Sequence, residues 1–115
     1  KFTGFTKCAR IPSKSYSKLL SAIVQQPVSI AMDQNPDMQF YHGDIYSGKC
    51  TSTLNHGMLL VGYGGDQIDN YFWKLRNSLG TKWGVNGYLY LKRVESDGDG
   101  ACGIQIWPSV PQNII

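Results

Sequence analysis

Two residues in the sequence have the types and placement needed for chemistry. His56 opens an apolar run, Gly57 to Tyr63, and Asn77 closes a second run of strand character, Tyr71 to Arg76. If those two runs pair antiparallel, the start of one lies beside the end of the other, and imidazole meets amide. A neutral amide oxygen accepting from an imidazole N–H fixes the ring's tautomer and orientation. That is the third member's role in a nucleophile–base–orienter set. The chain also has three cysteines, Cys8, Cys50 and Cys102. An odd count leaves at least one cysteine free or bonded to another chain.

Other chemistries are excluded by spacing. No C-x-x-C or H-x-x-x-H pattern exists, so no metal centre is expected. Gly62-Tyr63-Gly64-Gly65 ends a strand, but Gln67 stands where a dinucleotide fingerprint needs its third glycine, and no Gly-Lys-Ser/Thr follows. These are turn glycines, and no cofactor is implied. Glu95, Asp97 and Asp99 lack the ligand ladder and terminal glutamate of a calcium loop and read as a solvated turn.

The elements that would position the pair follow from periodicity. Lys1 to Pro12 reads as extended. Ser13 or Ser15 offers an N-cap. Tyr16, Leu19, Leu20, Ile23 and Val24 then recur at helical spacing, and Pro27 ends that helix near Gln25 or Gln26. From Val28 the period becomes two, with Ile30 and Met32 alternating against Ser29 and Ala31. Asp33 to Gly48 is rich in turn residues. Three strands are predicted beyond it, His56 to Tyr63, Tyr71 to Arg76 and Gly87 to Arg93, separated by glycine turns. With no helix between strands a parallel sheet is disfavoured. The expected fold is α+β: a mainly antiparallel, partly barrel-like β-sheet with one short helix.

With 115 residues the prior is one domain. The 42% hydrophobic and 17% charged composition fits a globular chain rather than a disordered one. A net charge of +3, scattered along the sequence, gives no nucleic-acid footprint. No apolar run reaches the ~18 residues of a membrane span, and no signal segment opens the chain, so neither nucleic acid nor membrane is an expected partner. Because it begins at Lys1 without an initiator methionine, it reads as processed or cut from something larger.

Several runs resemble the C-terminal half of the papain-like cysteine peptidases. They are Gln26-Pro27-Val28-Ser29-Ile30, the segment Tyr41 to Cys50, Leu54-Asn55-His56-Gly57, and Leu60-Val61-Gly62-Tyr63-Gly64. Trp73 to Ser78, Gly80 to Tyr88, and Ala101-Cys102-Gly103-Ile104 complete the set. The resemblance covers nearly the whole chain, and its N-S-x-G-x-x-W-G-x-x-G-Y run is highly specific.

The resemblance implies a papain-like C-terminal lobe over 1–115, with roles by position. His56 falls on the catalytic base and Asn77 on its orienter. Cys50 and Cys102 fall on a disulfide, which leaves Cys8 as a free or intermolecular thiol and implies a secreted or vacuolar/lysosomal history. Ala31, Leu54, Asn55, Gly57 and Trp107 fall at or near the pocket for the side chain second before the scissile bond. Two departures stand out. Leu79 replaces the family's usual tryptophan beside the orienter, and Trp107 stands where a smaller residue is common. The family's nucleophile lobe, with its cysteine and oxyanion-hole glutamine, is not matched by any residues of this chain.

Two functions follow as expectations. In one, the chain supplies His56 and Asn77 for peptide-bond hydrolysis with a separate N-terminal lobe as partner, and is inactive alone. In the other, it is a non-catalytic binding or defence protein for a peptide or protein ligand. Either way, an apolar face and an unpaired Cys8 predict self-association as a dimer.

Overall fold

A computed structural model describes residues 5–34, 36, 38, 41, 43–47, 50–77 and 82–113. The strands are β1 (Phe5–Arg10), β2 (Val28–Met32), β3 (His56–Gly64), β4 (Phe72–Arg76), β5 (Tyr88–Lys92) and β6 (Ser109–Asn113). One helix, α1 (Tyr16–Gln25), lies between β1 and β2, and single 3-10 turns form at Ile68–Asn70 and Ala101–Gly103. All strand pairings are antiparallel, in the order β1-β6-β2-β3-β4-β5. The sheet is not closed: among the described residues β1 and β5 stand at the two ends of the strand order.

Local rules account for these elements. Ser15, one of the two candidate caps, is the N-cap: its hydroxyl accepts from the Lys18 N–H at 3.4 Å. Gln26 is already extended, so the helix ends before Pro27. The helix buries Leu19 and Ile23 against the sheet. From β2, Val28, Ile30 and Met32 point into the same core, where they meet Met58 and Leu60 of β3, Trp73 and Leu75 of β4, and Leu89 and Leu91 of β5.

Strand β6 was not expected from the sequence. It carries a single β-branched residue, Val110, and contains Pro111. A proline is tolerated there because β6 pairs with β2 only at Ser109–Ser29, while Pro111 lies opposite Cys8 of the edge strand β1. A register shift between Leu60 and Gly62 also interrupts the β3–β4 ladder, as a bulge does.

Cys50 and Cys102 form a disulfide across a separation of 52 residues, with Cα atoms 5.2 Å apart. It ties the segment before β3 to the Ala101–Gly103 turn. A crosslink of that length stabilises by about 4 kcal/mol in the chain-entropy treatment.

Candidate functional site

The register places the two candidate residues. Leu59 pairs with Arg76 and Leu60 with Leu75, while Met32 pairs with His56. One step beyond Arg76, Asn77 therefore lies level with Met58, on the same face as His56 and diagonal to it. Diagonal neighbours across a strand pair are about 7–8 Å apart at the backbone, within reach of two medium side chains. The side chains meet: His56 Nε2 lies 3.0 Å from Asn77 Oδ1. An amide oxygen can only accept, so the proton is on Nε2. That leaves Nδ1 of the neutral ring with its lone pair, able to take a proton from a partner.

Both residues are fixed from behind. Asn77 is buried, and its backbone N–H donates to Gly87 O at 3.0 Å, which anchors it to the turn entering β5. That turn needs Gly84, at φ +63°, because a Cβ there would sit 2.5 Å from Tyr88 O. On the other side, the Asn55 N–H donates to Met32 O, and the Asn55 side chain clips the chain together. Its Nδ2 donates to Asp33 Oδ1 at 2.9 Å, and its Oδ1 accepts from the Gln34 N–H at 2.8 Å. Asp33 is buried and also accepts from Thr51 N–H at 2.6 Å and Thr51 Oγ1 at 3.0 Å. The Thr51 N–H does most to hold the Asp33 carboxyl below its usual range, against the opposing effect of burial.

The outward face of the sheet carries one continuous row across all six strands: Arg10, Ser109, Ser29, Leu59, Arg76 and Tyr88. Two adjoining grooves open along it. One, of about 440 Å³, is lined by Ser29, Ile30, Gly57, Met58, Leu59, Arg76 and Asn77. The other, of about 220 Å³, is lined by Ser29, Ile30, Ala31, Trp107 and Ser109. Of the expected pocket residues, Ala31 and Trp107 share the second groove, and Gly57 lines the first. Leu54 and Asn55 line neither; Leu54 lies against Gly103, and Asn55 serves the Asp33 clip. Trp107 is 53% exposed, with the Arg10 guanidinium 4.5 Å above its ring.

Sequence reasoning missed Ser29, Ser109 and Arg76 as groove residues, Arg10 as the cation over Trp107, and Asp33 as the support of Asn55. Only Ser29 left a signal, as a polar position in the alternation of β2. Leu79 lies outside the described residues.

Among the described residues, backbone placement sets the cysteines apart from His56. Cys50 and Cys102 are bonded to each other. Cys8 pairs with Pro111 on β1, three strand positions from β3 and five residues down the ladder from the His56 level. At ladder spacings that is about 14 Å across and about 17 Å along the sheet.

Comparisons with known proteins agree with this architecture. The model for the papain family of cysteine proteases matches residues 1–112. Vignain from Phaseolus vulgaris is 41% identical over 102 residues, which is 88% of this chain and 28% of the relative. Fruit bromelain from Ananas comosus is 35% identical over 109 residues, 95% of this chain and 30% of the relative. The chain thus spans less than a third of either. The solved bromelain protease from Ananas comosus, in complex with the E64 inhibitor, superposes with a TM-score of 0.86 at 35% identity. That match covers 94% of this chain and 50% of the bromelain chain. The proform of Amb a 11, a ragweed pollen cysteine protease, gives 0.86 at 31% identity over 96% of this chain and 34% of its own.

Proposed function

The chain belongs to the papain family of cysteine proteases, and from that premise we propose that it supplies the base half of a peptide-hydrolysing site. The thiol comes from a segment outside these 115 residues, carried by an N-terminal papain-like lobe. The observation that carries this reading is the 3.0 Å His56–Asn77 contact, which presents Nδ1 with its tautomer fixed. In the reaction, Nδ1 takes the thiol proton, the thiolate attacks the scissile carbonyl, and the imidazolium returns the proton to the leaving amine as the C–N bond breaks; water then attacks the thioester with Nδ1 as base, releasing the acid and restoring the thiol. The oxyanion is held by donors of the companion lobe. The grooves along the outward row receive the peptide, and a disulfide-forming compartment, secreted or vacuolar/lysosomal, is where the chain works.

One observation favours a second reading, a non-catalytic papain-like binding or defence protein. Trp107, exposed and with Arg10 over its ring, puts a bulky wall on the groove that holds Ala31, the partner of Gly57. Recombination with an N-terminal lobe bearing the family's cysteine separates the two. The enzyme reading expects no turnover of fluorogenic peptides by the chain alone and turnover after mixing. It further expects abolition by His56→Ala, because loss of one member of a catalytic set costs orders of magnitude, and a smaller loss with Asn77→Ala. A stable complex of the two lobes with no turnover supports the binding protein instead.

A further inference from the structure

The smaller groove has a feature that peptide hydrolysis does not require. Arg10 is exposed and sits directly across the ladder from Ser109, which is in turn opposite Ser29. Both serines line the groove, and Trp107 forms its wall. The Arg10 guanidinium lies over the Trp107 ring at 4.5 Å. A guanidinium held over an indole by its charge keeps in-plane N–H donors, two of which can bind a carboxylate together. Among the described residues the ion pairs are Lys14 with Asp99 and Arg93 with Glu95, and Arg10 pairs with no acid. The buried carboxylate Asp33 has its oxygens occupied by Thr51 and Asn55. The groove's volume of about 220 Å³ suits one compact side chain. Its position is set by Ala31, which pairs with Gly57, the residue after His56.

We infer that Arg10, held on Trp107, is a specificity residue that makes this groove take an acidic peptide side chain and turn away a basic one. The carboxylate of a glutamate or aspartate bonds the edge of the Arg10 guanidinium, with the Ser29 and Ser109 hydroxyls beside it. The indole holds the cation at the rim and supplies the apolar wall. A lysine or arginine side chain in the same groove meets a like charge. The inference rests on the groove being a peptide-binding surface, as proposed above.

The test uses the full chain and three blocked tripeptides, Ala-Glu-Ala, Ala-Gln-Ala and Ala-Lys-Ala. The Trp107 indole N–H resonance, assigned with Trp107→Phe, reports occupancy. The glutamate peptide is expected to bind about fivefold more tightly than the glutamine peptide, the upper scale of an exposed ion pair, with lysine weakest. The preference should shrink as salt is added. Arg10→Gln should bring the three affinities together while leaving the glutamine peptide near its original value. Arg10→Lys should keep the order with a smaller spread. Arg10 is exposed, so thermal melts of both variants should overlay that of the parent. Equal affinities in the parent, or an unchanged preference in Arg10→Gln, overturns this inference and leaves the peptide groove standing. Absence of any shift with all three peptides overturns the groove reading and the inference together.

Discussion

Replacing Asp33 by asparagine isolates the clip that supports His56. The carboxylate accepts two hydrogen bonds from Thr51 on Oδ2 and one from Asn55 on Oδ1. In Asp33→Asn the amide oxygen can keep the Thr51 pair, but its NH2 then faces the Asn55 NH2, donor against donor. Two bonds lose charge assistance and one buried donor is orphaned. An orphaned donor alone costs about 1–3 kcal/mol, and the lower desolvation of a neutral amide offsets part of the total, so the net expectation is about 2 kcal/mol. For a chain of this size that is a fall in Tm of about 8 °C. The pH dependence supplies a second, independent signature. Hydrogen bonding lowers the Asp33 pKa in the fold, so its stabilisation is fully present above the unfolded carboxyl value of about 3.9 and is lost as pH falls through the lower folded value. Paired melts of parent and variant should therefore differ fully at neutral pH and converge in acid. A deficit below about 0.5 kcal/mol at neutral pH, the size of an ordinary surface change, would refute the reasoning. So would a deficit that persists unchanged once the carboxyl is protonated.

Further outcomes follow from the same contacts. Reduction of Cys50–Cys102, or the double serine variant, should destabilise the fold by about 4 kcal/mol in denaturant titrations. Gly84→Ala should cost about 2 kcal/mol or more, because φ is +63° and the new Cβ would lie 2.5 Å from Tyr88 O. Its chemical-shift changes should reach Asn77 through the Gly87 carbonyl. Arg93→Ala should cost about 3–5 kcal/mol, read by thermal melting. Its buried guanidinium bonds Phe72 O, Gly64 O and the Tyr16 hydroxyl, and lies 4.4 Å from the Tyr71 ring. Tyr16 and Tyr41 are both raised above the usual tyrosine value, chiefly by burial. Stability should thus hold below about pH 10 and fall as pH climbs through the higher folded values.

What the sequence disclosed follows the strength of local signals. The helix was legible because Leu19 and Ile23 recur at helical spacing between a serine cap and Pro27. Strands β2 to β5 were legible because one face of each is buried. The His56–Asn77 meeting needed only antiparallel pairing to be inferred, and the register delivers it as a diagonal pair. Strand β6 was not legible, since its pairing is imposed by β1 and not by any alternation of its own. The open sheet was equally hidden, because closure depends on how far β1 lies from β5, which no local pattern encodes. Arg10 and Trp107 stand almost a hundred residues apart, and only the β1–β6 pairing brings them together. Asp33 read as the start of a turn-rich stretch, and its acceptor role depends on Thr51 and Asn55 arriving from elsewhere in the chain.

The central claim is that this chain presents a histidine base already set in one tautomer by Asn77. Long-range nitrogen–proton NMR on the His56 ring, with the ring neutral, tests it without any companion lobe. The account predicts the Nε2–H form alone, with its proton shielded from rapid exchange, and a mixture of tautomers in Asn77→Ala. An Nδ1–H ring in the parent, or a tautomer that Asn77→Ala leaves unchanged, would contradict it.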